Sequence, residues 1–439
     1  MSLTHNLAEQ IRAKSISPAD RNQTALLILD AIASCYAGAS TEVGSLFKQW
    51  AGSDSQSRHH RVLLAGALTH ITETDDLHRE SVTHPGCAVI PVALALGEQM
   101  SSTNAEVLDA VTRGFEAVCR IGMSVGPQHY KVWHNTATCG PFGAAMAAAE
   151  LLDLSLEQCV WALGNAGTQS SGLWEFLEDG AMSKHLHAGR AAQSGLMAAE
   201  LAGVNISGAL KILEGEKGFY RALCSDADPS RLVLNNEDQW QTHKTSIKPW
   251  PSCRHTHPAI DAALELSKSR QGRSLAEVNV ETYQAALDLC DRDTPANEYQ
   301  AKFSLQHCVA SALEHGEVTL GSFGSKQRSD LSEKTAVVSV RVTDPYKSNY
   351  PDAWGARVSV KTTDGAELHA ERAHCKGDPE LPLDGAAMQS KAVSLMQSAG
   401  LAESECLEIC SAVLAMATNP DANFRNTSAS LAGLSVFQL

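Results

Sequence analysis

Five alanine-rich segments follow one another through the first half of the chain: Val89 to Met100, Ala105 to Gly122, Gly140 to Leu152, Leu156 to Gly167 and Lys184 to Ala202. Their apolar residues recur at helical spacing, and Ala, Leu, Glu and Gln dominate them, a mixture that favours helix. The many small side chains let helix axes approach closely. Ahead of them, Pro18 to Ala39 carries Leu26, Leu27, Leu29, Ile32, Ala33 and Tyr36 behind a Ser-Pro start suited to a first helical turn. Apolar helices in such a succession must cover one another, so the first half is expected to be an all-helical domain.

Strand patterning comes later, in Val278 to Tyr283, Val337 to Val342, Ala356 to Thr362 and Ala366 to Ala373, which alternate or carry β-branched residues. Thr363-Asp364-Gly365 between the last two is a hairpin signal. Helices are expected over His257 to Ser269 and Gln300 to His315, interleaved with the strands, and again over Gly385 to Gly400 and Ser404 to Ala417. At 439 residues the chain exceeds the roughly 250 to 300 that one core serves. The expected fold class is mainly α plus α+β: a large helical domain over 1–246, an inserted smaller α+β domain over 247–382, and C-terminal helices over 383–439 returning to the first.

A net charge of -15 argues against nucleic acid or an anionic membrane as partner, while leaving room for a basic pocket and a small anionic substrate. Twelve cysteines without a CxxC pair fit reduced thiols better than a disulfide framework or a zinc ribbon. The N-terminus has no signal-peptide core and no run reaches about 18 apolar residues, so a cytoplasmic protein is expected. The small-residue helices are too apolar for one layer to cover, which points to a homodimer through the helical domain.

Chemistry concentrates in four polar clusters. The first is Glu73-Thr74-Asp75-Asp76-Leu77-His78-Arg79-Glu80-Ser81-Val82-Thr83-His84-Pro85-Gly86, held between two apolar segments. Acids and imidazoles this dense perturb one another's proton affinities, as proton transfer near neutral pH requires; a plain helix cap by Asp75 or Asp76 is the competing account. The second, Trp133 to Gly143, contains His134 and Thr138 and reads as a glycine-rich helix entry whose amides suit a carboxylate. In the third, Lys184 and His187 lie three apart on one helix face, where a lysine can hold a carboxylate or act as a base. The fourth is a proline-stiffened loop, Lys248 to Pro258, presenting Lys248, Cys253, Arg254, His255 and His257 at the expected domain junction. A zinc site from Cys253, His255, His257 and a distant histidine is conceivable, but the spacing matches no familiar pattern, and no metal or other cofactor is expected.

These clusters, DDLHRESVTHPG, WHNTATCGPFGAA, EFLEDGAMSKHLHAGRAAQSG and KPWPSCRHTHPAIDAA, together resemble the MmgE/PrpD family, whose members include 2-methylcitrate dehydratase, cis-aconitate decarboxylase and iminodisuccinate epimerase. The resemblance runs from about Leu26 to Leu266. It implies a large helical domain with the inserted α+β domain as a lid. It also implies active-site roles for Asp75, Asp76, His84 and His134, and for the lysines Lys184 and Lys248. The decarboxylase branch has a histidine five residues after its lid-loop lysine, where this chain has Cys253. A thiol near Lys248 and Arg254 would have a favoured thiolate, suited to moving a proton beside a carboxylate.

The expected activity is therefore cofactor-free proton abstraction next to a carboxylate of a small di- or tricarboxylate, with a 2-methylcitrate-dehydratase-like hydro-lyase leading. An epimerase of the iminodisuccinate type and a non-catalytic carboxylate-binding protein are the alternatives. His84, His134, Asp75, Asp76, Lys184 and Cys253 are the candidate catalytic residues. His78, Thr138, His187, Lys248, Arg254, His255 and His257 are the candidate substrate contacts.

Overall fold

Helix starts in this chain are written in its capping residues. Ser17 accepts a bond from the Asp20 amide while Asp20 accepts one from the Ser17 amide at 2.7 Å, opening the helix Pro18–Ala39. The same reciprocal box opens Asn104–Ser124 with Thr103 and Glu106, and Leu156–Gly167 with Ser155 and Gln158. Each box satisfies two amides that a helix's first turn leaves bare. The computed structural model describes residues 2–52, 57–233, 235 and 237–430, and divides into two compact units. One comprises residues 1–71, 75–247 and 384–439, and the other 72–74 and 248–383.

The first unit is helical. At its centre lies Asn135–Leu151, buried along all but one of its residues, with Pro85–Met100, Asn104–Ser124, Leu156–Gly167 and Ser183–Gly203 packed around it. Glycine permits this closeness: a β-carbon on Gly195 would lie 2.5 Å from the Pro141 carbonyl oxygen and 2.6 Å from the Ala145 amide. Pro18–Ala39 packs against Arg58–Ile71 and against the C-terminal helices Gly385–Ser398 and Glu403–Thr418. The unit is not purely helical, because β1 (Leu77–His78) and β2 (Thr245–Ser246) form a two-residue antiparallel ribbon. Among the described residues no single helix is long and apolar enough to cross a membrane.

The second unit holds a four-stranded sheet in the order β4-β3-β5-β6, built from β3 (Leu275–Thr282), β4 (Val338–Val342), β5 (Ala356–Thr362) and β6 (Glu367–Arg372). Only the β3 and β4 pair is parallel. Val278 and Val280 from β3, with Val358 and Val360 from β5, bury one face, and His257–Ser269 packs on β5 and β6. The expected hairpin is present, with Gly365 at φ +87. Gln300 to His315, expected as one helix, is two: Glu298–Lys302 and Leu305–His315. Ser304 interrupts it, since its hydroxyl accepts the His307 amide at 3.0 Å and caps the second helix.

Candidate active site

In the helical unit, the segment 75–86 leaves the end of Arg58–Ile71 and re-enters helix at Pro85–Met100, where Pro85 occupies a first-turn position that needs no amide. Asp76 anchors that re-entry, its two carboxylate oxygens accepting the Gly86 amide at 3.0 and 3.1 Å. A β-carbon on Gly86 would sit 2.9 Å from Asp76 Oδ1, so only glycine lets the carboxylate come this near. Ser81 and His84 are tied to the start of Asn135–Leu151. The Asn135 side-chain amide donates to the Ser81 carbonyl at 2.8 Å, and the His84 amide donates to Thr136 Oγ1 at 3.0 Å. Between them Val82 holds a left-handed φ of +49, a conformation that a β-branched residue keeps only when its surroundings impose it.

These ties deliver a cluster that no single stretch of sequence displays. Asp75 Oδ2 lies 2.7 Å from His70 Nδ1 and 3.4 Å from His84 Nδ1. The His70 ring stands edge-on to His84 at 4.5 Å and stacks on His134 at 5.9 Å. His134 Nδ1 meets His187 Nδ1 at 3.3 Å. Lys184, buried in the first turn of Ser183–Gly203, is close enough for its charge to act on His134. His187 also lines a cavity of about 660 Å³ with Trp133, Phe176 and Arg190.

Electrostatics sorts these groups. Burial pushes the Asp75 carboxyl up, but the His70 and His84 imidazoles beside it outweigh that and hold it well below the usual carboxylate range. Burial, reinforced by Lys184 and the neighbouring imidazoles, drives His134 well below the ordinary histidine value. His187 is pushed down to about 4, by burial first and then by His70 and Lys184. At neutral pH the site therefore sets the Asp75 carboxylate beside neutral His134 and His187 rings, an arrangement able to accept a proton.

Asp75, His84, His134, Lys184 and His187 are thus brought together, and His70, which the sequence reading missed, joins them. Other candidates are engaged elsewhere. His78 spends both ring nitrogens at 2.9 Å, on Ser81 Oγ and Gln241 Oε1, and burial drives it down to about 3, so it pins the β1 segment instead of facing substrate. Thr138 Oγ1 meets His129 Nε2 at 2.8 Å. The glycines of the second cluster do not precede a helix: Gly140 and Gly143 lie inside Asn135–Leu151, and a β-carbon on Gly143 would approach the Gly114 carbonyl to 2.7 Å. They serve helix contact, not carboxylate binding.

Gly172 is where backbone geometry matters to the site. Its φ is +134, its carbonyl accepts the His134 amide at 3.0 Å, and a β-carbon there would lie 3.3 Å from His187 Nδ1. Gly172→Ala is expected to lower stability by about 1 to 3 kcal/mol, read as an earlier urea midpoint with an unchanged slope.

In the second unit the loop from Lys248 is built into local structure. Lys248 Nζ and Glu73 Oε2 form a buried pair at 3.4 Å. Arg254 turns a guanidinium nitrogen to Asp378 and lies over the Trp354 ring, while its other terminal nitrogen is buried without a hydrogen-bond partner among the described residues. The guanidinium is thus spent largely on Asp378, and the Cys253 thiol has the neutral Cys290 thiol as a hydrogen-bonding neighbour. His255 stacks flat on Trp354 at 4.3 Å and bonds Tyr283 at 2.7 Å, with burial pushing it down to about 3. His257 Nε2 faces the Ser252 carbonyl at 3.3 Å. Cys253, His255 and His257 do not converge as zinc ligands.

Two groups of side chains come nearest to a metal-ligand set among the described residues: His70, Asp75 and His84, and in the second unit His374, Asp378 and Glu380. Asp378 is already committed to Arg254. In the first group the 2.7 Å between Nδ1 and Oδ2 is a proton-sharing distance. Two ligands bonded to zinc at about 2.0 Å in tetrahedral geometry stand about 3.3 Å apart.

The chain is 25% identical over 375 residues to the cis-aconitate decarboxylase of Mus musculus, covering 77% of this chain and 75% of that protein. It is 26% identical over 369 residues to the Homo sapiens enzyme of the same name, with 77% and 76% covered. With the Aspergillus terreus cis-aconitate decarboxylase it shares 24% over 387 residues, and 78% of each chain is covered. The MmgE/PrpD N-terminal domain matches residues 4–232, which hold the whole imidazole and lysine cluster, and the MmgE/PrpD C-terminal domain matches residues 250–416. With both domains matched in order over most of its length, the chain belongs to the MmgE/PrpD family.

Proposed function

We propose that this protein is a lyase acting on a small di- or tricarboxylate, making or breaking a bond at a carbon next to a carboxylate. The observation that carries the reading is the convergence of Asp75, three imidazoles and buried Lys184 in the helical unit. Carbon-acid chemistry requires such a set. A neutral imidazole takes or returns the proton, and an ammonium steadies the charge that collects on the substrate carboxylate, at a worth of about 3 kcal/mol per preorganised donor. The relatives named as cis-aconitate decarboxylases support a substrate of this class. Within it we favour loss of water in the manner of 2-methylcitrate dehydratase, because dehydration needs only proton carriers, and the imidazoles of this cluster can supply them.

Solvent-deuterium exchange into 2-methylcitrate, citrate, cis-aconitate and iminodisuccinate tests this. Wild type is expected to exchange and turn over at least one of them, and His134→Gln to lose about 100-fold or more in turnover while still binding it. A folded preparation that binds an acid tightly but exchanges none would make the protein a carboxylate-binding one and sink the proposal. Release of carbon dioxide from cis-aconitate would assign decarboxylation in place of dehydration.

A further inference from the structure

His70 is the one member of the cluster for which neither sequence pattern nor helix geometry supplied a role. It sits fully buried at the end of Arg58–Ile71. A histidine on the apolar face of a core helix is most often a packing residue with both nitrogens satisfied. His70 differs. Its Nδ1 is 2.7 Å from Asp75 Oδ2, while its Nε2 is buried with no hydrogen-bond partner among the described residues. A buried polar atom left without a partner is costly, and such an atom calls for a ligand to complete it.

The hydrogen bond to Asp75 decides which nitrogen carries the proton. A carboxylate accepts, so Nδ1 holds the hydrogen and Nε2 keeps a lone pair. The same carboxylate then stands behind the ring to balance the positive charge that a captured proton would bring. His70 makes the shorter of the two imidazole contacts to Asp75. His134 faces a second imidazole through Nδ1 and lies under the Lys184 charge, which opposes its protonation. His84 reaches the Asp75 oxygen only at 3.4 Å, and the shorter His70 contact has the first claim on it.

We propose that His70 is a catalytic base of this site, its Nε2 taking the proton from the substrate carbon next to a carboxylate. In that step the carbon–hydrogen bond breaks and a nitrogen–hydrogen bond forms on Nε2. The electron pair left on carbon spreads onto the substrate carboxylate, and Asp75 neutralises the imidazolium through Nδ1–H. In the reverse direction the same imidazolium returns the proton to carbon, so the residue serves elimination and carbon protonation alike. This assignment rests on the proposed lyase reading and is tested so that the two can fail separately.

The test measures deuterium exchange in heavy water for wild type and His70→Gln with the four acids named above, and binding of each acid by calorimetry. Glutamine keeps the length and can still bond Asp75, but it has no basic nitrogen. His70→Gln is expected to bind the acid that wild type exchanges and to lose exchange by about 100-fold or more. Exchange within threefold of wild type would overturn the role of His70 while leaving the lyase reading standing. A wild type that exchanges none of the acids would overturn both.

Should His70→Gln not fold, proton NMR of the wild type decides. A far-downfield resonance from Nδ1–H is expected, absent in Asp75→Asn and retained in His84→Gln. Its loss in His84→Gln would give the Asp75 contact to His84 and overturn the assignment. One equivalent of tightly held metal in purified protein would put an ion in place of the shared proton, with the same consequence.

Discussion

Asp75→Asn is expected to lower turnover by about 10³- to 10⁴-fold while leaving the chain folded. The side chains have the same shape, so packing in the helical unit is kept, but an amide cannot serve both imidazoles as the carboxylate does. Where its oxygen faces His70, the charge that balances the protonated ring is gone. Where its NH₂ faces His70, the ring must hold its hydrogen on Nε2 and present no lone pair. Loss of the correct tautomer behind a catalytic histidine costs about 10⁴-fold in the best-studied hydrolases, and removal of a proton carrier costs about 10²- to 10⁴-fold. The measurement is turnover of whichever acid wild type consumes, alongside a thermal melt showing an unchanged fold. More than a tenth of wild-type activity would mean that Asp75 positions nothing that matters to the reaction.

The second large effect is acid lability. Burial holds His78 and His255 down to about 3, and burial with Lys184 holds His134 well below its ordinary value, whereas in the unfolded chain each titrates near 6.5. Below that pH the unfolded chain binds protons that the folded chain refuses, so stability falls as pH falls. Each group contributes about 1.4 kcal/mol per pH unit once it is protonated in the unfolded state. His78, His134 and His187 lie in the helical unit and His255 in the other, so acid should weaken the helical unit more steeply than the second below pH 6. Asp75 acts lower down: its depressed carboxyl adds stability above the usual carboxylate range, and that is lost as pH falls through it. Urea midpoints at pH 7, 6 and 5 check this, and a flat series would mean that these histidines are protonated in the fold.

Where a segment is long, strongly periodic and capped, its sequence was enough. Pro18–Ala39, Leu156–Gly167 and His257–Ser269 end at the expected residues, because the signals that start and stop them are local. The site was less legible for the opposite reason. His70 lies just past the apolar stretch Val62 to Leu68, and its partner Asp75 is five residues on, beyond the helix end. No helical or strand spacing links them, and only the turn of the chain between them makes the pair. Gly140 and Gly143 read as a helix entry because glycine is locally a helix breaker, yet close packing of Gly140 on Ala191 and of Gly143 on Gly114 keeps them inside a buried helix. For Arg254, the competing carboxylate Asp378 lies 124 residues away, a pairing invisible to any local pattern.

The contact between His134 and His187 makes two rings into a single two-position switch. With Nδ1 facing Nδ1 at 3.3 Å, one hydrogen fits between them, so whichever ring donates it obliges the other to accept. A hydrogen taken up on the far nitrogen of His187, a residue that lines the cavity, would let the shared one pass to His134 without either ring turning. His134 is almost sealed from solvent, so under the proposed function a proton that it gained would leave through its neighbour instead of by opening the fold. Label carried into the site on a substrate should accordingly be washed out between cycles, and blocking the His187 ring should make the enzyme remember it.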